Sequence, residues 1–284
     1  MSGPGRLAAV IGSPVAHSLS PAIHRAAFEA AGVDWSYVAF DVAPGQAGAA
    51  LDAMRTLGIG GLSVTMPHKA DVARLVDRLD PAAAALHSVN TVSWDGDDLV
   101  GSSTDGAGFV TSLADAGVDV DGARVAVIGA GGAARSVIDA LARAGSSDIT
   151  VLNRSTDRAE QAAALASAAS VGIISDISRA DVVVNATSVG MGVAQEDAVD
   201  ADLACDPGLI HAGQVVVDLV YHPLETAWLA AANEQGARTV DGLGMLVHQA
   251  ALQQRIWLAD DAEVDTVAMR SAALSALPPR RGRP

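Results

Sequence analysis

The segment VAVIGAGGAARSVIDALARAG, residues 125–145, decides the fold of this chain. A strand-like apolar run leads into the pattern G-x-G-x-x-A, with Gly129, Gly131 and Ala134 at its key positions, and a helix-forming run follows. In that arrangement the first glycine makes a tight turn and the second lets the backbone approach a pyrophosphate, while the third small residue packs the helix on its strand. A glycine-rich turn in an unrelated α/β protein would explain the turn, but not the strand and helix in register around it. The segment therefore predicts a dinucleotide-binding α/β unit.

The end of the next predicted strand indicates which dinucleotide binds. Folds that bind NAD place an acidic residue there, about 20 residues further on, to accept a hydrogen bond from the ribose hydroxyl. This chain has NRSTDR at that place, with Asn153, Arg154 and Arg158. Two guanidinium groups can bind a 2′-phosphate through charge-assisted hydrogen bonds. Arginines that only faced solvent would be poorly placed at a helix start, because the helix dipole is positive there. The pattern favours NADP over NAD.

Short apolar runs alternate with alanine-rich amphipathic segments along the chain, which predicts an α/β fold of parallel strands joined by crossover helices. Strands are predicted at residues 7–12, 35–42, 61–65, 124–129, 148–153, 181–186 and 214–220, with a hairpin over 91–103 that turns at Asp95-Gly96. Helices are predicted at residues 20–32, with Ser20 as the cap, and at 50–58, 106–117, 159–170 and 243–258, with one more helix beyond.

Composition limits the class of protein. The chain has 284 residues, half of them hydrophobic, which suits two domains with sizeable cores. Its net charge of −15 opposes a nucleic-acid or anionic-membrane partner, because their phosphates would be repelled. Cys205 is the single cysteine, which excludes an intramolecular disulfide and a cysteine metal cluster, and the histidines show no metal-ligand spacing. With no basic leader and no long apolar run, a soluble cytoplasmic protein without a metal is predicted.

Polar motifs recur where the predicted strands end, and open α/β sheets bind ligands there. In chain order these motifs are VIGSPVAHSLSP, SVTMPHK, SVNT, STDGAG, GAGGAAR, NRSTDR, NATSVGM, VYHPLET and DGLGMLVHQA. In these nine ordered motifs the chain resembles the shikimate dehydrogenase family, whose members reduce 3-dehydroshikimate to shikimate with NADPH in the chorismate pathway of aromatic amino-acid biosynthesis. The resemblance covers nearly the whole chain and stops before its tail.

The resemblance implies roles for individual residues. Lys69 and Asp105 would be the catalytic pair at the carbon that changes oxidation state. The substrate-binding residues would be Ser18 and Ser20 at the carboxylate, Thr65, Asn90 and Gln249 at the hydroxyls, and Tyr221 reaching towards the substrate. The cofactor would be NADP, bound by Gly129, Ala130, Gly131, Gly132, Ala133, Asn153, Arg154, Arg158, Thr187, Val220, Gly242 and Met245.

The chemistry accounts for the two catalytic residue types. Adding hydride to a ketone leaves an alkoxide, so the site must donate a proton or hold positive charge at that oxygen. A lysine can do either, and an aspartate beside it can align the ammonium group. Taken singly, four of the assigned residues have simpler interpretations: Ser20 caps a helix, Asp105 starts one, Asn90 satisfies a turn and Gln249 faces solvent.

Three positions depart from the family pattern. Ser63 stands where asparagine usually precedes Val-Thr, which shortens one expected substrate contact or leaves it to water. Ser102 and Ser103 stand where Asp-Asn commonly precedes Thr-Asp-Gly. These changes leave open a quinate or aminoshikimate dehydrogenase, or a catalytically weak regulatory homologue. A dehydrogenase acting on a folate or an acyl-tRNA would share the glycine-rich unit, but would not explain HSLSP and MPHK.

The predicted domain organisation is discontinuous. Residues 1–104 and 241–284 would form a substrate-binding domain, so that the C-terminal helices return to it, and residues 105–240 would form a Rossmann-type NADP-binding domain. An active cleft between the two domains would close about hinges near 104–105 and 240–242. The partner is a small-molecule substrate, and a monomer or a homodimer is compatible with the sequence.

Overall fold

The structure is a computed structural model that describes residues 6–193, 198–199, 202–258 and 263–277. The chain divides into two compact units. The first unit holds Met1–Thr104 and Val247–Leu277, and the second holds Asp105–Leu246. The chain thus returns to the first unit at Val247, six residues beyond the predicted start of the returning segment at 241. The basic run that ends the chain lies outside the described residues.

The first unit contains a six-stranded mixed sheet. Its strands are β1 (Arg6–Gly12), β2 (Trp35–Asp41), β3 (Gly61–Val64), β4 (Arg78–Leu79), β5 (Thr91–Asp95) and β6 (Asp98–Ser102), in the spatial order β2-β1-β3-β5-β6-β4. The helices between them are α1 (Ser20–Ala30), α2 (Ala47–Leu57), α3 (Lys69–Leu75) and α4 (Pro81–Leu86). β1 pairs in parallel with β2 and β3, whereas β5 is antiparallel to β3 and β6. The predicted hairpin is confirmed, with Gly96 in its turn at φ +62°.

One local prediction in this unit is wrong. The sequence predicts Ser20 as the cap of α1, but Ser20 is the first helical residue, and the N-cap position belongs to Leu19, which makes no side-chain cap bond. The backbone N–H of Ser20 instead donates to Ser18 Oγ at 3.2 Å. The serine two residues earlier therefore does what a capping side chain normally does.

The second unit contains a six-stranded sheet that is parallel throughout. Its strands are β7 (Arg124–Ile128), β8 (Asp148–Leu152), β9 (Ala169–Val171), β10 (Val182–Asn185), β11 (Val215–Asp218) and β12 (Arg238–Val240), in the order β12-β11-β10-β7-β8-β9. Helices α5 (Asp105–Asp115), α6 (Gly132–Arg143), α7 (Thr156–Ala163) and α8 (Ala227–Glu234) belong to this unit, and its described residues also include the short 3₁₀ helices Ile174–Arg179 and Pro207–Leu209. Numbered from β7, this is the order 3-2-1-4-5-6 of doubly wound dinucleotide-binding folds. The predicted Rossmann-type unit is confirmed.

The alanine-rich helix predicted over 159–170 is too long. α7 ends at Ala163, and Ala169–Val171 forms the edge strand β9, which pairs in parallel with β8. Helix propensity is a weak prior, and here tertiary pairing overrides it. The last helices, α9 (Leu243–Leu258) and α10 (Thr266–Ala276), agree with the prediction. No helix in the described ranges is both long and apolar enough to cross a bilayer.

A buried histidine gives the first unit a specific acid sensitivity. His24 is fully buried and stacked on Tyr37, with ring centroids 4.3 Å apart. Its Nε2–H donates to Gln253 Oε1 at 3.2 Å, and its Nδ1 accepts from Gln254 Nε2 at 3.2 Å. Burial lowers the pKa of His24 to about 3, against a smaller opposing effect of the Gln253 bond. The neutral ring is therefore built into this core.

We expect His24 to destabilise the protein as the pH falls below the ordinary histidine pKa. Because the unfolded chain binds a proton there and the folded chain does not, the His24 contribution is complete above about pH 6.5 and declines by up to about 1.4 kcal/mol per pH unit below it. Urea unfolding of wild type and His24→Asn at several pH values between 7 and 4 measures this, since other titrating groups cancel in the difference. A difference that did not shrink with acidification would contradict the assignment.

Candidate functional site

The turn after β7 has the geometry that an approaching pyrophosphate needs. Gly129 has φ +118°, and a Cβ there would lie 3.0 Å from the carbonyl oxygen of Ala186. Gly131 is the N-cap of α6, and a Cβ on Gly131 or Gly132 would meet no heavy atom of the described residues within 4 Å. Because neither glycine has a side chain, a phosphate group can approach the first N–H groups of this twelve-residue helix closely. The residues present fit a dinucleotide phosphate.

This turn also lies where such sheets bind ligands. The strand order reverses between β7 and β10, which are parallel neighbours, and ligands bind outside the strand ends at that point. Ala134, at the third position of the glycine pattern, is fully buried against the core of the unit. The turn and the loop that starts at Ala186 are therefore adjacent.

The end of β8 places two cations on the surface. Asn153, Arg154 and Arg158 are all exposed. Asn153 Nδ2 donates to the carbonyl oxygen of Ser155 at 2.9 Å, and Ser155 is the N-cap of α7, where its hydroxyl accepts from Arg158 N at 3.5 Å. The local structure thus positions the backbone of this segment and leaves both guanidinium groups at the surface. Their role at a 2′-phosphate stays a prediction.

A buried carboxylate joins the two loops that carry the predicted cofactor residues Thr187 and Val220. Asp218, at the end of β11, accepts hydrogen bonds from Asn185 Nδ2 at 2.9 Å and Thr226 Oγ1 at 2.8 Å. It also accepts from the backbone N–H of Val220 at 3.0 Å. Asn185 Oδ1 in turn accepts from the hydroxyl of Thr187 at 2.7 Å. Burial raises the pKa of Asp218 to about 6, while these three bonds act in the opposite direction.

Gly242, Tyr221 and Met245 follow β11 along the chain, and Gly242 is bonded to Val220 of this network. Gly242 donates its N–H to the carbonyl oxygen of Val220 at 3.3 Å, and a Cβ on it would lie 2.3 Å from the carbonyl oxygen of Leu219. Only glycine therefore fits at position 242. Tyr221 is half-buried, and burial raises the pKa of its hydroxyl. Met245 packs against the core of the second unit.

In the first unit, the ends of β1 and β3 are side by side. Thr65 follows β3 directly, and its N–H donates to the carbonyl oxygen of Ile11 at 2.9 Å. Just beyond the ends of both strands, the backbone N–H of Ser13 donates to the carbonyl oxygen of Met66 at 2.9 Å. A Cβ on Gly12 would lie 2.4 Å from Thr65 Cγ2, so that only glycine leaves room for the threonine.

Asn90 is the centre of a polar cluster at the start of β5. Its Nδ2 donates to Thr104 Oγ1 at 2.9 Å and to Gln249 Oε1 at 3.4 Å, and its Oδ1 accepts from Thr104 N at 2.9 Å. The Thr104 hydroxyl also donates to the carbonyl oxygen of Gln249 at 3.0 Å. The structure thus brings two predicted substrate residues together through a threonine that the sequence did not single out. The next residue of the chain is Asp105.

Lys69 is the first residue of α3, and its side chain is half-buried. Its carbonyl oxygen accepts from the backbone N–H of Val89 at 3.0 Å, which ties the helix start to the residue before Asn90. Ser18 and Ser20 are half-buried at the start of α1. Of the predicted active-site residues, Asp105 and Tyr221 belong to the second unit, and the other substrate and catalytic residues belong to the first.

The three departures from the family pattern are all buried. Ser63 is 5% exposed, so its contacts decide its role. It accepts from Tyr37 Oη at 2.6 Å and donates to Gln253 Oε1 at 2.7 Å. Burial raises the pKa of Tyr37, and hydrogen bonds with Ser63 and Ser20 oppose that shift. The Ser63 hydroxyl therefore has protein partners on both sides.

Family models match three successive parts of the chain. The shikimate dehydrogenase substrate binding domain matches residues 10–92, shikimate / quinate 5-dehydrogenase matches 112–220, and the shikimate 5′-dehydrogenase C-terminal domain matches 242–274. The shikimate dehydrogenase (NADP(+)) of Moorella thermoacetica is 42% identical over 291 residues, which cover 98% of this chain and 97% of that protein.

Two solved structures show the same likeness in three dimensions. Shikimate 5-dehydrogenase from Thermus thermophilus, in complex with NADP(H) and shikimate, is 34% identical with a TM-score of 0.86, covering 96% of this chain and 100% of that one. Quinate dehydrogenase from Corynebacterium glutamicum, in complex with NAD, is 31% identical with a TM-score of 0.85, covering 95% of this chain and 99% of that one.

Proposed function

The chain belongs to the shikimate dehydrogenase family, and from that membership we propose that it reversibly reduces 3-dehydroshikimate to shikimate with NADPH. It is an oxidoreductase acting on a CH–OH group, and its place is in aromatic amino-acid biosynthesis. The observation that carries the proposal is the 42% identity to an NADP-dependent shikimate dehydrogenase over nearly the full length of both chains. The polar cluster at Asn90 and the turn at Gly129 supply a chemical basis for it.

The residues of the second unit suit NADP. When bound, the cofactor supplies the hydride for reduction or accepts it in oxidation. The bare backbone at Gly131 and Gly132 would receive the pyrophosphate, and Arg154 and Arg158 would hold the 2′-phosphate. As the resemblance implies, Thr187 and Val220 would edge the nicotinamide and Gly242 would come close to it, and Met245 would also bind the cofactor.

The residues of the first unit suit a small polyhydroxylated carboxylate. Hydroxyls of Ser18 and Ser20 would bind the carboxylate of the substrate. Thr65, Asn90 and Gln249 would bind its ring hydroxyls, because amide and hydroxyl groups can both donate to and accept from an alcohol. Tyr221 would reach towards the substrate, as the resemblance implies.

Lys69 and Asp105 are assigned to the reacting hydroxyl. In the oxidation direction the alcohol would give its O–H proton to the Lys69–Asp105 pair while its C–H hydrogen goes as hydride to NADP, and in reduction the alkoxide formed by hydride addition would take a proton back from the pair. An ammonium group stabilises that alkoxide or donates the proton, and a carboxylate aligns the ammonium group.

A cytoplasmic location and a monomeric or homodimeric state are part of the proposal, as are the domain ranges 1–104 plus 241–284 and 105–240.

A kinetic matrix tests the proposal. Shikimate and quinate are each measured with NADP and NAD at fixed pH and salt, and the absorbance of the reduced nicotinamide gives the initial rate. We expect the highest kcat/KM for shikimate with NADP. A higher value for quinate would shift the assignment to quinate dehydrogenase, and binding of both ligands without turnover would indicate a regulatory homologue.

We expect the choice of cofactor to depend on the exposed arginines after β8. Replacing both Arg154 and Arg158 by alanine removes charge-assisted bonds to the 2′-phosphate, each worth about 1.5–3 kcal/mol, so KM for NADP should rise at least tenfold. KM for NAD should change little, because NAD lacks that phosphate. Arg143→Ala, an exposed arginine at the end of α6, is the matched control. Equal losses with NADP and NAD would contradict the assignment.

A further inference from the structure

Gln253 lies one helical turn after Gln249 on α9, and its side chain is buried. Residues four apart lie on the same face of a helix, so both glutamines face the start of β5. Gln249 reaches the Asn90 side chain, with 3.4 Å between Asn90 Nδ2 and Gln249 Oε1. Gln253 reaches the Asn90 main chain, with 3.0 Å from its Nε2 to the Asn90 carbonyl oxygen.

The hydrogen bonds determine the orientation of the Gln253 amide. Its Oε1 accepts from Ser63 Oγ at 2.7 Å and from His24 Nε2 at 3.2 Å. Because an amide has its acceptor on one side and its donors on the other, these two bonds direct Nε2 towards Asn90. Because Ser63 Oγ accepts a hydrogen bond from the Tyr37 hydroxyl, Ser63 can donate its own hydroxyl proton to Gln253.

Ser63, Gln253 and Asn90 thus belong to one buried hydrogen-bond network. The Asn90 carbonyl oxygen also accepts from the backbone N–H of Val64 at 2.8 Å, so the same oxygen joins β3 and α9. A shift of this oxygen would move the Asn90 side chain, which is bonded to Thr104 and Gln249. Buried polar networks of this kind specify one arrangement when every member is satisfied.

We propose that Gln253 is a positioning residue for substrate recognition, which holds Asn90 in place, and that Ser63 acts by orienting Gln253 rather than by contacting the substrate. The proposal rests on the proposed function, because it assigns the substrate hydroxyls to Asn90 and Gln249. It also gives a role to the serine that departs from the family pattern.

Gln253→Met tests the proposal, because methionine keeps a similar volume and removes both sets of hydrogen bonds. We expect KM for shikimate to rise about tenfold, the equivalent of one misplaced hydrogen bond, with KM for NADP unchanged within about twofold. The thermal midpoint should fall as well, because the Ser63 and His24 donors lose their acceptor. An unchanged KM for shikimate in a folded variant would overturn the proposal.

Gln254→Met is the matched control. Gln254 is fully buried on the same helix, and its described bonds go to His24, at 3.0 Å to the carbonyl oxygen and 3.2 Å to Nδ1. We expect a similar loss of thermal stability with KM for shikimate unchanged. If the two variants raised KM equally, the effect would be structural and the proposal would fail.

Two further measurements keep the test decisive. Ser63→Ala removes one donor to Gln253 and is the milder variant if Gln253→Met does not fold; we expect KM for shikimate to rise about threefold, and no rise would overturn the proposal. Hydrogen–deuterium exchange at residues 88–92 needs no substrate, and should quicken in Gln253→Met but not in Gln254→Met. If wild type fails to oxidise shikimate, the proposed function fails, while exchange still shows whether Gln253 holds Asn90 in place; unchanged exchange in Gln253→Met would overturn that part.

Discussion

We expect replacement of Lys69 by alanine to lower kcat for shikimate oxidation by at least about a thousandfold, because the alcohol loses the side chain that takes up its proton or stabilises the developing alkoxide. General acid–base catalysis contributes about 10²–10⁴-fold, and electrostatic stabilisation of a developing charge adds to it. KM for NADP should stay within about twofold, since Lys69 is assigned to the substrate and not to the cofactor. Steady-state kinetics with both substrates varied separates these two effects.

Two variants accompany the Lys69 measurement. Arg74→Ala removes a cation from the same helix, α3, and should leave kcat within about twofold, because this exposed arginine pairs with Asp71 at the surface. Lys69→Arg keeps the charge but replaces a compact ammonium by a planar guanidinium, and should recover only part of the activity. Loss of less than tenfold in Lys69→Ala would contradict the catalytic role.

Asp105→Asn is expected to lower kcat by about a hundredfold to a thousandfold. Asp105 starts α5, is only 9% exposed and directly follows Thr104, which the Asn90 cluster holds by hydrogen bonds. Asparagine has the same shape and removes the charge, so the substitution tests the carboxylate rather than the packing. The neutral amide cannot align an ammonium group by charge or accept the proton of the substrate hydroxyl in the same way.

The matched control for Asp105 is at the other end of the same helix. Asp115→Asn changes an exposed carboxylate in the last turn of α5 and should leave kcat within about twofold. Thermal midpoints of both variants show whether a loss of activity follows a loss of folding. Activity retained in Asp105→Asn would restrict this residue to starting the helix, the simpler interpretation of its position.

The second unit was predictable from sequence because its signals are local. Buried strands of four to five residues and the pattern at Gly129 stand out against their neighbours, and each needs only the adjacent residues to be recognised. The edge strands Ala169–Val171 and Arg238–Val240 were missed, since three residues are too few to show a period and only pairing with β8 and β11 makes them strands.

The candidate site was predictable only as far as motifs reach. Asn90 and Gln249 are 159 residues apart in sequence, and the family resemblance named them, but nothing local indicated that Thr104 joins them. The sequence indicates Asp218 only as part of a buried strand, because its polar partners Asn185 and Thr226 depend on the order of β10 and β11. Gln253 could have been found from the sequence by its spacing, because it lies four residues after Gln249 and therefore on the same face of the predicted helix.

A double-mutant cycle tests most directly the central claim that Lys69 and Asp105 act together on one alcohol carbon. The measurement is kcat for shikimate oxidation by wild type, Lys69→Ala, Asp105→Asn and the double variant, all at one pH and salt concentration. Residues that act as a unit show strongly non-additive losses, so the double variant should lose no more than about tenfold beyond the slower single variant. Losses that multiply, or a wild type without turnover, would contradict the claim.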